Sequence, residues 1–179
     1  MLVSANVSVE NCVISGVAGN GLEVFAPANI RVADTLLARN GAGMYFGYGA
    51  SVDIVNTQVQ GNAGAGLNAH NESGSSTTVA VTNSAFSRNL FGVVAFGESP
   101  GGKVAVTISG STVDHGGTGF YASAPAGVQA SITVSGTKVT HNSIGLQQVG
   151  VSVIKSTGDN VVTDNATNAM GTITPMGTM

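Results

Sequence analysis

The chain has 179 residues, of which 26 are glycine, 8% are charged and 5% are aromatic, and its formal net charge is −3. This weak charge, without any run of Lys or Arg, argues against a nucleic-acid partner, and a single cysteine excludes an internal disulfide. No apolar run reaches the roughly 18 residues of a membrane-spanning helix, so no membrane span is predicted. A surface so poor in charge must be covered by Ser, Thr, Asn and backbone, which favours a sheet-rich fold.

The first predicted strand opens a unit that returns five more times. Residues 7–16, VSVENCVISG, hold an alternating apolar pair and then the tetrad Asn11-Cys12-Val13-Ile14. The fourth residues of the six tetrads are separated by 23, 22, 27, 27 and 26 residues, and they are Ile14, Leu37, Val59, Phe86, Val113 and Val139. A Gly–apolar pair, Gly21-Leu22 in the first unit, follows each tetrad. Alternation with a period of two predicts strands, so each unit holds three short strands.

Turn-forming residues separate these strands in two columns. The first column is Asn11, Asp34, Asn56, Asn83, Gly110 and Gly136, and the second is Asn40, Asn62, Asn89, Gly116 and Asn142. Both columns are predicted to adopt the left-handed conformation of a sharp corner, which Asn, Asp and Gly tolerate. The small residue after the first corner, Cys12 in the first unit, is predicted to point inward and to be buried.

Three strands with tight corners every 22–27 residues predict a parallel β-helix, because no unit can bury its apolar face except by stacking on the next. The predicted fold is all-β, with about six to seven coils over residues 1–165 and a C-terminal tail or cap at 166–179. The alternative, an antiparallel β-sandwich, would not place the same residue types inward at a fixed period. Phe86 and Phe120 are predicted to lie inside the coil.

Four stretches of the chain resemble a known family. VSVENCVISG, VTNSAFSRNLFGVVA, SGTKVTHNSIGL and KSTGDNVVTDNATNAMGTITP are similar to the right-handed parallel β-helix repeat proteins of the pectate-lyase-like superfamily. The last stretch resembles the ending of bacterial members with no assigned activity. The resemblance covers nearly the whole chain and implies a single-stranded, right-handed coil. It does not imply one function, because the same coil serves lyases, hydrolases, epimerases, adhesins and inert stalks.

The outward columns lack the carboxylate pattern of the superfamily's enzymes. Such enzymes need carboxylates from neighbouring coils on one face, as calcium ligands or as acid and base. In the predicted register Glu23 is followed by Tyr45 and Asn68, and Asp114 lies between two hydroxyl residues. No column stacks two acids on adjacent coils, although acids of different columns can still meet. No catalytic residue, metal ligand or cofactor is therefore predicted.

A short basic ladder is the first predicted ligand-binding feature. Arg88, His115 and His141 fall in one column near a corner, with Asp114 beside them. Such a ladder suits an anionic sugar or another acidic group and would titrate with the histidines. The competing interpretation is a solvated edge with one Arg–Asp contact.

Two outward aromatic residues are the second predicted ligand-binding feature. Tyr45 and Tyr121 lie on one face, three coils apart, and sugar-binding β-helices use such rings for stacking. Three longer loops, HNESGSSTT, FGESPGGK and SAPAGVQA, are adjacent on one edge and are the natural place for a binding feature. The competing interpretation is that these loops are tolerated insertions.

The predicted function is a non-catalytic structural or binding module that is carbohydrate- or surface-related, with a polysaccharide as partner. The alternative is a degenerate or partial polysaccharide lyase or glycoside hydrolase. The start, MLVSANVSV, lacks the features of a signal peptide. The protein is predicted to be cytoplasmic, or extracellular or periplasmic if this sequence is part of a longer secreted chain.

The first coil is predicted to be an association surface. Its strands have no coil before them in this sequence, so they present unpaired edges around an apolar lumen. The prediction is a homodimer through the N-terminal coil. In the competing outcome, residues 1–6 fold over the opening and the chain stays monomeric.

Overall fold

The computed structural model describes residues 5–177 and forms a right-handed coil of parallel strands. Each strand pairs in parallel with the strand one coil later, so the successive strands of each coil build three sheets. In the described residues these sheets contain eight, seven and seven strands. The prediction of an all-β, right-handed parallel β-helix of six to seven coils is confirmed.

The three sheets, named A, B and C, take the first, second and third strand of each coil. Sheet A contains β1 (Ala5–Glu10), β4 (Ala28–Ala33), β7 (Ser51–Val55), β10 (Thr77–Thr82), β13 (Lys103–Ser109), β16 (Gln129–Ser135), β19 (Val153–Thr157) and β22 (Ile173–Met176). Sheet B contains β2 (Val13–Ser15), β5 (Leu36–Ala38), β8 (Gln58–Gln60), β11 (Ala85–Ser87), β14 (Thr112–Asp114), β17 (Lys138–Thr140) and β20 (Val161–Thr163). Sheet C contains β3 (Asn20–Val24), β6 (Ala42–Phe46), β9 (Ala65–Asn71), β12 (Phe91–Gly97), β15 (Thr118–Ala124), β18 (Ile144–Gly150) and β21 (Thr167–Met170). A single 3₁₀ turn, Glu72–Gly74, follows β9.

The apolar columns predicted from the sequence form the core. Phe86 pairs in register with Val59 on one side and Val113 on the other, and all three side chains are buried. Phe120 is likewise buried, in the sheet C column. Since neighbouring parallel strands lie about 4.8 Å apart, equivalent side chains stack directly on one another. The predicted inward register is therefore confirmed.

The first corner, between sheets A and B, has the predicted conformation. Its six Asn, Asp and Gly residues all have φ between 49° and 58°. The next residue is a buried Thr or Ser in the coils from Thr35 to Thr137. Ser84 is representative, because its Oγ donates to the Thr82 carbonyl at 2.9 Å and accepts the Thr57 N–H at 3.1 Å. The prediction that Cys12 is buried is wrong, because β2 is the first described strand of sheet B and leaves its side chain exposed.

The prediction for the second corner, between sheets B and C, is wrong by one residue. The left-handed residues there are Gly16, Arg39, Gly61, Arg88, His115, His141 and Asp164. Four of them are followed by buried asparagines that serve as hydrogen-bonding groups instead: Asn40, Asn62, Asn89 and Asn142. Asn89 Oδ1 accepts the Asn62 N–H at 3.1 Å, and its Nδ2 donates to the Val59 carbonyl at 2.9 Å. The asparagine column satisfies backbone groups that the tight corner would otherwise leave unpaired.

Two glycine positions are explained by close approach of adjacent coils. A Cβ atom at Gly116, where the asparagine column is interrupted, would lie 2.5 Å from the Asn89 carbonyl oxygen. A Cβ atom at Gly92, which precedes an inward residue of sheet C, would lie 2.6 Å from the Gly119 carbonyl oxygen. Both distances are shorter than any side chain tolerates, so glycine is required there.

The N-terminal coil exposes apolar side chains, whereas two further strands extend the sheets at the C-terminal end. At the N-terminal end Val7 and Val13 are 41% and 71% exposed, and the homodimer through this coil stays a prediction. At the other end β21 and β22 extend sheets C and A by parallel pairing with β18 and β19. The division of the chain into a β-helix at 1–165 and a tail or cap at 166–179 also stays a prediction.

Replacing Phe86 by Asp should prevent folding. Phe86 is 1% exposed, and an uncompensated buried charge costs about 3–5 kcal/mol in addition to about 3–5 kcal/mol for the lost ring. Together these losses rival the whole stability of a typical domain, about 5–15 kcal/mol. Circular dichroism and thermal melting measure the effect. Ala85→Asp, one residue away on the outward side of β11, is the matched control and should fold; a cooperatively melting Phe86→Asp protein would contradict the register.

Candidate functional site

The outer face of sheet C carries an aromatic groove of about 460 Å³. It spans β6, β9, β12 and β15, which is about 14 Å along the coil axis at about 4.8 Å per strand. Its walls are formed by four aromatic side chains, one imidazole and one leucine: Tyr45, Phe91, Phe96, Tyr121, His70 and Leu90. We call this feature the sheet C groove. It brings together the two tyrosines, Tyr45 and Tyr121, that the sequence predicted as ligand-binding residues.

The strand register explains the shape of the groove. Tyr45 and Tyr121 occupy one outward column, and the two positions between them hold the smaller Asn68 and Val94. The tyrosines therefore form the two ends of the groove, and the smaller side chains form its floor. Phe91 packs beside Tyr121, with ring centroids 5.4 Å apart. The predicted order of Glu23, Tyr45 and Asn68 in one column is confirmed.

A cluster of polar side chains closes one side of the groove. His70 Nδ1 lies 2.7 Å from the Tyr45 hydroxyl and 3.2 Å from Glu72 Oε1, and its Nε2 lies 2.9 Å from Glu98 Oε2. The Tyr45 hydroxyl also donates to Glu72, and Tyr48 donates to the same carboxylate. The His70 ring packs edge-on against Phe96, with centroids 5.0 Å apart. One imidazole is thus held between two carboxylates at the edge of an aromatic surface.

The two glutamates come from successive loops after strands of sheet C, and hydrogen bonds between side chains and the backbone fix both loops. The 3₁₀ turn that carries Glu72 is closed by the side chain of Ser75, which donates to the Glu72 carbonyl at 2.7 Å. Asn71, buried at the end of β9, accepts the Glu98 N–H at 2.6 Å and donates to the Ser99 carbonyl at 2.6 Å. The first loop therefore positions the second, so that both carboxylates face His70.

Burial and hydrogen bonding shift the pKa values of Tyr45 and Glu72. Burial raises the pKa of Tyr45 well above its usual range, and its bond to Glu72 raises it further, so the phenol stays protonated. Burial also opposes ionisation of Glu72, but the hydrogen bonds from Tyr45 and Tyr48 and the charge of His70 outweigh it. The pKa of Glu72 is lowered from its ordinary value of 4.5. Glu72 is therefore a carboxylate at neutral pH.

Polar atoms in the groove are available to a ligand. Asn68 Oδ1 is buried in the floor and has no hydrogen-bond partner among the described residues. His70 Nε2 is at ion-pair distance from Glu98 but makes no hydrogen bond with acceptable geometry within residues 5–177. Buried polar atoms in native proteins are nearly always paired, so unpaired ones in a groove indicate a place for water or a ligand.

The predicted basic ladder lies on a different surface. Arg88, His115 and His141 are successive residues of the second corner, all in the left-handed conformation and exposed. The two histidine rings stack in parallel with centroids 4.8 Å apart, and His115 Nδ1 lies 3.3 Å from Asp114 Oδ1. The six residues predicted as one ligand-binding set therefore divide between this corner and the sheet C groove. Along the chain, Arg88 lies two residues before Leu90, which lines the groove.

A larger hollow of about 600 Å³ lies on sheet A near the N-terminal end. Its charged residues are already paired, since Arg31 lies 2.8 Å from Asp53 and 3.3 Å from Glu10. None of its described lining residues is aromatic. The sheet C groove is therefore the better candidate for a binding site, although it is smaller.

The sequence patterns missed His70, Glu72 and Glu98. Glu72 and Glu98 lie in loops that no column of the repeat aligns, whereas His70 lies near the end of β9 in register with Phe96, beyond the columns used for the prediction. The available signal was the length and adjacency of the loops HNESGSSTT and FGESPGGK, which together contain all three residues. The second loop also begins with Phe96, a wall of the groove.

A comparison with protein families identifies the family of the chain. Residues 1–129 match the family described as the right handed beta helix region. The chain belongs to this right-handed β-helix family. Neither a search of curated proteins nor a search of solved structures found a match to this chain.

Two further features of the β-helix bear on its chemistry. No group of three or more His, Cys, Asp or Glu side chains within residues 5–177 is arranged to hold a metal ion. The same residues contain no helix long and apolar enough to cross a membrane.

The stability of the β-helix should depend on the ionisation of Glu72. Its pKa is lower in the folded protein than in the unfolded chain, so it contributes stability above pH 4.5 that is lost as pH falls through the folded pKa. Glu72→Gln should lower the melting temperature at neutral pH and flatten its fall on acidification.

Tyr45→Phe is the matched variant, because it removes one donor and should move the Glu72 pKa back toward 4.5. Carboxyl carbon shifts in a nuclear magnetic resonance titration measure this directly. A Glu72 carboxyl that titrates at or above its ordinary value in the unmodified protein would contradict the described network.

Proposed function

We propose that this β-helix is a carbohydrate-binding module that holds a polysaccharide in the sheet C groove, without catalysing its cleavage. The observation that carries the proposal is the aromatic groove itself, with an unpaired polar atom in its floor. Ligand sites are typically concave and mostly apolar, with a few placed polar groups that fix orientation. The sheet C groove has both properties.

The spacing of the aromatic rings supports a chain-like ligand. Tyr45 and Tyr121 are three strands apart, about 14 Å at the usual strand spacing, and Phe91 lies beside the second tyrosine. The flat apolar faces of sugar rings stack on such side chains. Because the sheet is rigid, the rings are held in place before a ligand arrives, which reduces the entropy lost on binding.

The polar cluster supports recognition of hydroxyl groups. Glu98 is 61% exposed in its side chain and has one carboxylate oxygen near His70, so it can still accept hydrogen bonds from a ligand. Asn68 Oδ1 is a second free acceptor among the described residues. Sugar hydroxyls are donors, and an aromatic face edged by acceptors matches a sugar that presents an apolar face and a rim of hydroxyls.

A second candidate function, polysaccharide cleavage, is favoured by one observation, the two glutamates on either side of His70. Paired carboxylates carry out glycoside hydrolysis, and a base beside a sugar ring carries out elimination. Assays of reducing ends and of unsaturated products across a polysaccharide panel test this. Turnover that is lost in Glu98→Gln, with binding retained, would make the protein an enzyme and overturn the non-catalytic proposal.

Removing a groove ring should weaken binding. Tyr121→Ala should reduce the affinity for a bound polysaccharide about tenfold, the effect of losing one stacked aromatic contact. Tyr121→Phe keeps the ring and should bind nearly as well as the unmodified protein. Isothermal titration calorimetry with oligosaccharides measures both.

His115→Ala is the control on the corner ladder. It should leave the affinity unchanged, because His115 does not line the sheet C groove. If His115→Ala or Arg88→Ala abolishes binding and Tyr121→Ala does not, the ligand binds at the corner instead. The anion-binding role of Arg88, His115 and His141 stays a prediction until that comparison is made.

A further inference from the structure

We propose that the sheet C groove selects polysaccharides of uncharged sugars and excludes polyuronates. This inference rests on the proposed function, since it specifies which ligand the same groove accepts. It follows from the distribution of charge around the groove and from the hydrogen-bonding groups that the groove presents.

The Lys and Arg residues of the chain are not among the residues that line the groove. Its six Lys and Arg residues are Arg31, Lys103 and Lys155 in sheet A, Lys138 in sheet B, and Arg39 and Arg88 at the corner between sheets B and C. None of them lines the groove. Proteins usually bind a carboxylate by pairing it with a guanidinium or ammonium group. A ligand carboxylate in the groove would find neither among the lining residues.

The acidic residues, in contrast, gather at one end of the groove. Glu72 and Glu98 contact His70 in its wall, and Glu23 is the neighbour of Tyr45 in the outward column. Even with His70 protonated, these three carboxylates leave a net negative charge beside the aromatic rings. The negative potential opposes each carboxylate that a polyuronate would bring into the groove.

Glu72 keeps its charge because its neighbours stabilise the ionised form. Tyr45, Tyr48 and His70 all donate to or attract its carboxylate, and its pKa is lowered as a result despite burial. The carboxylate therefore cannot readily take up a proton to accept an acidic ligand at neutral pH. A hydroxyl ligand needs no such change, because it donates directly to a carboxylate oxygen.

The free polar atoms of the groove have the same preference. Asn68 Oδ1 in the floor and the exposed carboxylate of Glu98 beside the groove are acceptors, and they match hydroxyl donors. The other unpaired atom, His70 Nε2, faces the Glu98 carboxylate. A uronate carboxylate at neutral pH is only an acceptor. Placing it against these atoms would bring acceptor against acceptor and leave the buried Asn68 Oδ1 unpaired, which is one way that binding sites reject a close analogue.

The test compares one polymer in three chemical forms. The protein is first screened by affinity electrophoresis, with EDTA present, against glucan, mannan and galactan and against polygalacturonate and alginate. The neutral polymer that binds best is then oxidised at C6 to its uronate, and a portion of the uronate is converted to the methyl ester. Binding should fall at least about tenfold on oxidation and return on esterification, since only the charge is removed in the last step.

Two variants and a salt series test whether the acidic cluster causes the weaker binding of the oxidised polymer. Glu98→Gln should narrow the difference between the neutral and oxidised polymers, because it removes the exposed acid of the cluster. Glu10→Gln, which removes an acid that pairs with Arg31 on sheet A, should leave the difference unchanged. Raising the salt concentration should also narrow it, since salt screens exposed charges.

The outcomes separate this inference from the proposed function. Binding of the oxidised polymer as tight as that of the neutral one, or binding of polygalacturonate and alginate alone, would overturn the selectivity. Tyr121→Ala and His115→Ala then show whether the groove or the histidine corner holds the polymer. An unchanged difference in Glu98→Gln would overturn the assignment of selectivity to the acidic cluster. Binding of no polymer of either kind would overturn the proposed function and the selectivity with it.

Discussion

Stacking of parallel coils in a fixed register is the constraint on which the rest of this structure depends. Each coil is too thin to bury its own apolar face, so burial comes from equivalent residues that meet about 4.8 Å apart. The same spacing explains the glycine that precedes the inward residue of β12, because a side chain there would collide with the next coil. It also explains the hydrogen-bonded Thr/Ser and Asn columns, which pair backbone groups at the two corners.

The sequence was sufficient for the fold because the constraint is periodic. Column alignment alone predicted the inward Phe86 and Phe120 and the outward order of Glu23, Tyr45 and Asn68. It failed at the second corner because asparagine was equated with left-handed backbone. There the left-handed position is occupied by Arg and His as well as Gly, and Asn is required by buried hydrogen bonds.

The candidate site was only half predictable, for a physical reason. Tyr45 and Tyr121 lie in the repeat, so their shared face followed from the register. His70 lies in β9 in register with Phe96, but Glu98 lies in a loop that no repeat aligns, and its contact with His70 depends on Asn71 holding that loop. A rigid coil thus supplies regularly spaced rings, and irregular loops supply the charges beside them. Separate elements control stacking and electrostatics, which allows one to vary without the other.

We propose that the ligand contacts the outer face of sheet C rather than the histidine corner or sheet A. Chemical-shift mapping of the isotope-labelled protein during titration with a neutral oligosaccharide tests this most directly. The largest changes are expected at Asn68, His70, Val94 and Tyr121, with little change at His115, His141 or Arg31. Shifts concentrated at the histidine corner, with the groove signals unmoved, would contradict it.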